Sequence, residues 1–225
     1  MDFYKLVKSL DDLVFEILSW LYFYPRTLLR TLFRPFALMR DTEAQMEEDD
    51  EPAFGDRIGP PLFLALTLGL IHVVEMGMGI EAAEDFHNEA IRELMSDDRN
   101  LLALRIILFG GLPLLAAARQ LKAQDRTLSK SMLKAPFYAQ CYAAAGYAVL
   151  FNAAYFSGHA FMDTHQEMAA GLLFGGLLVA AVWIGWVEAR WFHRVLGVGR
   201  WKAFRHALVL LVQWFALFVL LTLPF

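Results

Sequence analysis

Two histidines and two glutamates repeat one spacing. His72 and Glu75 stand three residues apart, and so do Glu84 and His87. On a helix a three-residue step puts both side chains on one face, and helix bundles hold metal ions with paired Glu-x-x-His steps. His159, Asp163 and His165 follow in a later connection and could add imidazole and carboxylate groups. Thus His72, Glu75, Glu84, His87, His159 and His165 define a candidate metal or proton site. Arg105 offers Glu75 a competing use. Both lie near the matching ends of adjacent apolar blocks, where an unpaired charge is costly. A Glu75–Arg105 ion pair is the expected arrangement, and no metal or cofactor is assigned.

Other chemistry is sparse. The chain has no phosphate-cradling glycine loop, nucleophile elbow or zincin helix. Ser157 near His159 is the closest approach to a nucleophile–base pair, and nothing around it supports one. Cys141 is the single cysteine, inside an apolar block, and is expected to be a small buried hydrophobe. Glu188 precedes Arg190 and Arg194 and is expected to form an interfacial ion pair. No extended basic surface suggests nucleic acid as a partner. An enzyme is not expected.

The elements that would position these residues are long and apolar. The 225-residue chain is 58% hydrophobic, and five blocks reach the ~20 residues that span a bilayer: about 60–79, 101–118, 137–157, 168–188 and 205–225. The connections alternate in charge. The segment before the first block carries Lys5, Lys8, Arg26, Arg30, Arg34, Arg40 and Arg57. The second connection carries Arg119, Lys122, Arg126, Lys130 and Lys134, and the fourth Arg190, Arg194, Arg200, Lys202 and Arg205. The first has only Arg92 and Arg99, and the third has neither Lys nor Arg. Basic loops stay cytoplasmic. The expectation is an all-α membrane protein, a bundle of five transmembrane helices with the N-terminus in the cytoplasm and the C-terminus outside. Abundant Arg and Ala point to a bacterial inner membrane, with a periplasmic C-terminus.

Residues 13–24 are not expected to form a cleavable signal, since Glu16 interrupts the run and Pro25-Arg26 follows it. Nor can 13–33 span, with Glu16, Arg26 and Arg30 in hydrocarbon. Instead Arg26, Arg30 and Arg34 recur every four residues, with Leu28, Leu29, Leu32, Phe33 and Phe36 on the other side. Residues 1–40 read as one or two amphipathic helices on the cytoplasmic leaflet, broken at Pro25 and Pro35, their arginines facing anionic lipid headgroups. Residues 41–56 follow as an acidic linker, with seven acids and no base across 41–51. Residues 57–225 form the spanning domain. Within it, about 80–97 has the periodicity of an amphipathic helix at the outer face.

The third block holds Tyr138, Gln140, Tyr142, Tyr147, Asn152 and Tyr155 among alanines, so it belongs at the bundle centre. In the fourth, Gly171 and Gly175 make a small-xxx-small step suited to close helix packing, within the chain or between copies. A homo-oligomer or a membrane-protein partner is therefore conceivable.

The first span is approached through Asp56-Arg57-Ile58-Gly59-Pro60, and the third contains Gly146-Tyr147. With five spans and a cytoplasmic N-terminal region, this resembles the Yip1-type membrane domain. The family's first-span signature is Asp-Leu-Tyr-Gly-Pro, matched at Asp56, Gly59 and Pro60. Its third-span Gly-Tyr pair is matched by Gly146 and Tyr147. Arg57 and Ile58 stand where the family has Leu-Tyr. The resemblance implies a non-enzymatic protein that organises membrane lipid or scaffolds a membrane complex. Bacterial relatives are often labelled permeases, which implies the alternative of a small transporter acting as an oligomer with an outer His/Glu site.

Overall fold

In a computed structural model the chain is described over residues 3–48, 54–80, 89, 92–93, 96–162 and 164–222. Among these residues there are seven long helices and no strand: α1 (Phe3–Phe33), α2 (Pro35–Glu48), α3 (Pro60–Gly77), α4 (Asp98–Ala123), α5 (Lys130–Ala160), α6 (Gln166–Leu196) and α7 (Arg200–Thr222). Most of the expected outer helix over 80–97 lies outside the described residues, as do Glu84, His87 and Asp163.

Helix starts and stops follow local chemistry. Gly59 caps α3 with two prolines behind it, where the first-turn N–H groups have no helical partner to lose. Asp97 accepts from the Arg99 N–H at 2.9 Å to open α4, and Ser129 accepts from the Met132 N–H at 3.3 Å to open α5. Gly197 closes α6 in the left-handed conformation, φ 61°, which costs glycine nothing.

Among the described residues four helices are long and apolar enough to cross a membrane: α3, α4, α6 and α7. Their outward faces carry Leu70 and Val73, Ile106 and Leu114, Phe174 and Leu178, and Val212 and Phe215, all exposed. An apolar exterior over a partly polar interior is the build of an integral membrane protein. The 31-residue α5 is long enough but not apolar enough to join the four. It is instead the most enclosed helix, sheathed by α2, α3, α4 and α6.

Neighbouring helices alternate in direction. Glu75 of α3 meets Arg105 of α4 at one end. At the other end Gln140 of α5 meets Glu188 of α6, and Trp191 of α6 meets Gln120 of α4. The α5–α6 seam is tight because both strings of small residues meet. A Cβ on Gly176 would lie 2.5 Å from the Ala154 Cβ, and one on Gly158 2.9 Å from the Leu173 Cβ. Gly171 and Gly175 are not in this seam. They are exposed, and a Cβ on either would meet nothing. The packed face runs through Ala169, Gly176 and Ala180, so the close approach uses Gly176 and not its neighbour.

The N-terminal region differs from expectation in two ways. Pro25 does not break α1, which runs through it. The backbone N–H lost at Pro25 would have bonded the Leu21 carbonyl, and both residues are exposed, so no buried carbonyl is orphaned. The chain breaks at Arg34, with Pro35 opening α2. The acidic stretch is also not a linker throughout. α2 continues to Glu48, burying Leu38, Met39, Thr42 and Met46 against the bundle.

Candidate functional site

The arginine stripe and the Asp56–Pro60 step form one node. Tyr24 of α1 donates to the Thr67 hydroxyl of α3 at 3.2 Å. One and two turns on, Thr27 and Thr31 are buried, and the Trp183 indole of α6 donates to the Leu32 carbonyl at 3.2 Å. The C-terminal half of α1 therefore reaches from α3 to α6 across α5. Gly146 makes the crossing possible: a Cβ there would lie 2.6 Å from the Trp183 ring and 3.0 Å from the Thr31 methyl. Its neighbour Tyr147 faces the other way, into a ring cluster with Phe109, Phe151 and Trp214 at centroid distances of 5.3–6.2 Å.

The three arginines do not act alike. Arg30 pairs with Asp56 at 2.9 Å, whereas Arg26 and Arg34 are exposed. The Arg30 hydrogen bond holds the Asp56 carboxyl below its ordinary range, and the charge of Arg57 adds to this. The apolar side also divides. Leu28 and Phe36 pack against the bundle, while Leu29 and Phe33 join Phe15, Leu18, Leu21 and Tyr22 on the exposed face.

Arg57 is turned into the bundle. Its side chain is 3% exposed. It donates to the Gln45 side-chain oxygen of α2 at 2.8 Å and lies over the Phe54 ring at 5.3 Å. Next to it, the Tyr142 phenol donates to the Ile58 carbonyl at 2.7 Å, tying the segment before α3 to α5. Arg57→Met is expected to cost about 1–2 kcal/mol, the worth of a charged hydrogen bond partly offset by retained packing. Arg57→Lys should recover little, since one ammonium cannot reproduce the planar fork. Thermal unfolding of the purified protein measures both.

At the opposite end, Arg105 pairs with Glu75, which is 2% exposed. His72 Nδ1 stands 3.8 Å from the same carboxylate, beyond hydrogen-bond range. His159 and His165 are exposed. Among the described residues no three His, Cys, Asp or Glu side chains converge.

Glu188 departs from the expected interfacial pair. It is fully buried and accepts from the Gln140 amide at 3.1 Å. Arg190 lies instead over the Phe36 ring at 4.6 Å and Arg194 over the Trp191 ring at 5.7 Å. On the same face, the Trp191 indole donates to Gln120, whose amide donates to Glu43 of α2. This polar thread ends at two adjoining cavities of about 160 and 250 Å³, both lined by Glu43, Gln120 and Arg126. The sequence pointed to Gln140 and Tyr142 as interior polar groups. It carried no signal for Thr31, Gln45 or Trp183, whose roles depend on helices far apart in the chain.

Comparison with family models, curated proteins and solved structures finds no match for this chain.

Proposed function

We propose that the chain is a non-enzymatic polytopic membrane protein of Yip1-like architecture that organises lipid. In this reading α5 is a fifth span, enclosed by α2, α3, α4 and α6. The end carrying α2 is cytoplasmic, the membrane is the bacterial inner membrane, and the C-terminus is periplasmic. The positive-inside distribution supports that orientation. The observation that carries the function is the two-sidedness of α1. One edge is held to the bundle by Tyr24, Thr31 and Leu32. The other presents Phe15, Leu18, Leu21, Leu29 and Phe33, with exposed Arg26 and Arg34 beside them. A basic amphipathic helix of this kind settles at the headgroup–acyl boundary. Rigidly attached to spans, it acts as a wedge in one leaflet.

The test is vesicle diameter after reconstitution at matched protein density. Wild type should give narrower vesicles than protein-free controls. Leu29→Glu/Phe33→Glu, at exposed positions, removes roughly 3–6 kcal/mol of interfacial burial and should restore the control diameter. Equal diameters for wild type and variant would defeat the proposal. The alternative, an oligomeric permease with an outer His/Glu site, has less support, because Arg105 occupies the Glu75 carboxylate.

A further inference from the structure

The larger of the two cavities lies where α4 hands over to α5 and α6 ends. It is lined by Arg126 and Arg194 on one hand and by Glu43, Gln120 and Gln124 on the other. Neither arginine is paired with a carboxylate among the described residues. Arg126 reaches only the Met132 sulfur, at 3.1 Å, and Arg194 lies over the Trp191 ring. Two guanidiniums on one polar cavity call for an anion, and the planar fork suits phosphate oxygens.

The cavity also calls for a donor. Gln124 spends its amide on the Val195 carbonyl at 3.1 Å, and its side-chain oxygen is buried with no partner. Glu43, which accepts from Gln120 at 3.1 Å, places a carboxylate on the same cavity. A simple phosphate would satisfy the arginines but set its own charge against the Glu43 carboxylate and the Gln124 oxygen. A cation would do the reverse. A ligand with a phosphate and an ammonium a few bonds apart satisfies both. Size agrees, since about 160 and 250 Å³ each fall below the ~300 Å³ at which pockets for drug-sized ligands begin. The smaller cavity is lined by exposed Met132, an apolar lip.

We infer that this cavity binds a zwitterionic amino-phosphate, the headgroup chemistry of phosphatidylethanolamine, with phosphate at Arg126 and Arg194 and ammonium at Glu43 and the Gln124 oxygen. Basic pockets between spans on the cytoplasmic side are known to hold the phosphates of lipid headgroups. The inference deepens the lipid-organising reading and rests on it only for a lipid being the natural source.

The experiment is calorimetric titration of the full-length protein in a phosphate-free detergent. The ligands are short-chain phosphatidylethanolamine, short-chain phosphatidylglycerol and soluble glycerophosphoethanolamine. Phosphatidylethanolamine should bind. Arg126→Gln and Arg194→Gln, both at exposed positions, should each weaken it about tenfold, as loss of a charged hydrogen bond does. Glu43→Gln keeps an acceptor for Gln120 and should weaken phosphatidylethanolamine but not phosphatidylglycerol. Glycerophosphoethanolamine binding as tightly as the lipid supports the same site with a soluble source; weaker binding assigns the lipid. Absence of binding, equal affinities across the variants, or phosphatidylglycerol bound as well as phosphatidylethanolamine would overturn the proposal. Leu29→Glu/Phe33→Glu, which lines neither cavity, should bind phosphatidylethanolamine as wild type does, so failure here and failure of the wedge reading are distinguishable.

Discussion

Arg105→Leu is expected to destabilise the protein by about 3–5 kcal/mol, the usual cost of stripping one partner from a buried ion pair. Glu75 is 2% exposed and the Arg105 side chain 13%, so neither charge can recover its hydration without the helix ends separating. Histidine offers no substitute, because His72 Nδ1 is 3.8 Å from the Glu75 carboxylate. The decisive variant is the double one. Glu75→Gln/Arg105→Leu removes both charges and should return to within about 1–2 kcal/mol of wild type, since an absent pair costs far less than a broken one. Thermal or denaturant unfolding in detergent gives the cycle. If the two single effects add, the pair is not the unit that holds α3 to α4.

Gly146→Leu is expected to cost about 3 kcal/mol, the upper end for overpacking a filled interior. The first added carbon already sits 2.6 Å from the Trp183 ring and 3.0 Å from Thr31. Trp183 cannot swing aside freely, because its indole N–H is committed to the Leu32 carbonyl at 3.2 Å. The cheapest relief is for α1 to lift off. Two readouts should therefore move together: the unfolding midpoint should fall, and a protease site engineered near Thr31 should become cleavable. Loss of stability with Thr31 still protected would place the damage in the α5–α6 seam alone.

Block length read the four apolar spans α3, α4, α6 and α7 from the sequence, because hydrocarbon thickness sets a minimum that loops rarely imitate. It understated α4 and α6. α6 runs 31 residues, since polar turns such as Arg190–Arg194 continue the helix past the apolar stretch. Pro25 misled for the opposite reason. Proline breaks helices whose carbonyls are buried, and its outward position in α1 is a tertiary fact. Gly175 against Gly176 is a matter of one residue, 100° of helix rotation, and small-residue spacing cannot choose between adjacent registers. Glu188 looked like half of an ion pair because arginines follow it. Its partner Gln140 lies 48 residues away, and the nearby arginines stack on rings.

The hydrogen bond from Trp183 to Leu32 has a consequence for synthesis. Its partners are 151 residues apart. A ribosome adding ~5–20 residues per second delivers the Leu32 carbonyl on the order of ten seconds before the indole that donates to it. Gly146 also follows Thr31 by most of that interval. The first helix made thus waits while its docking surface is still being threaded into the bilayer. On the proposed reading, the face that stays exposed in the finished protein, with Phe15, Leu18, Leu21, Leu29 and Phe33, is the face that lipid would hold meanwhile, making the membrane a co-translational template for the fold.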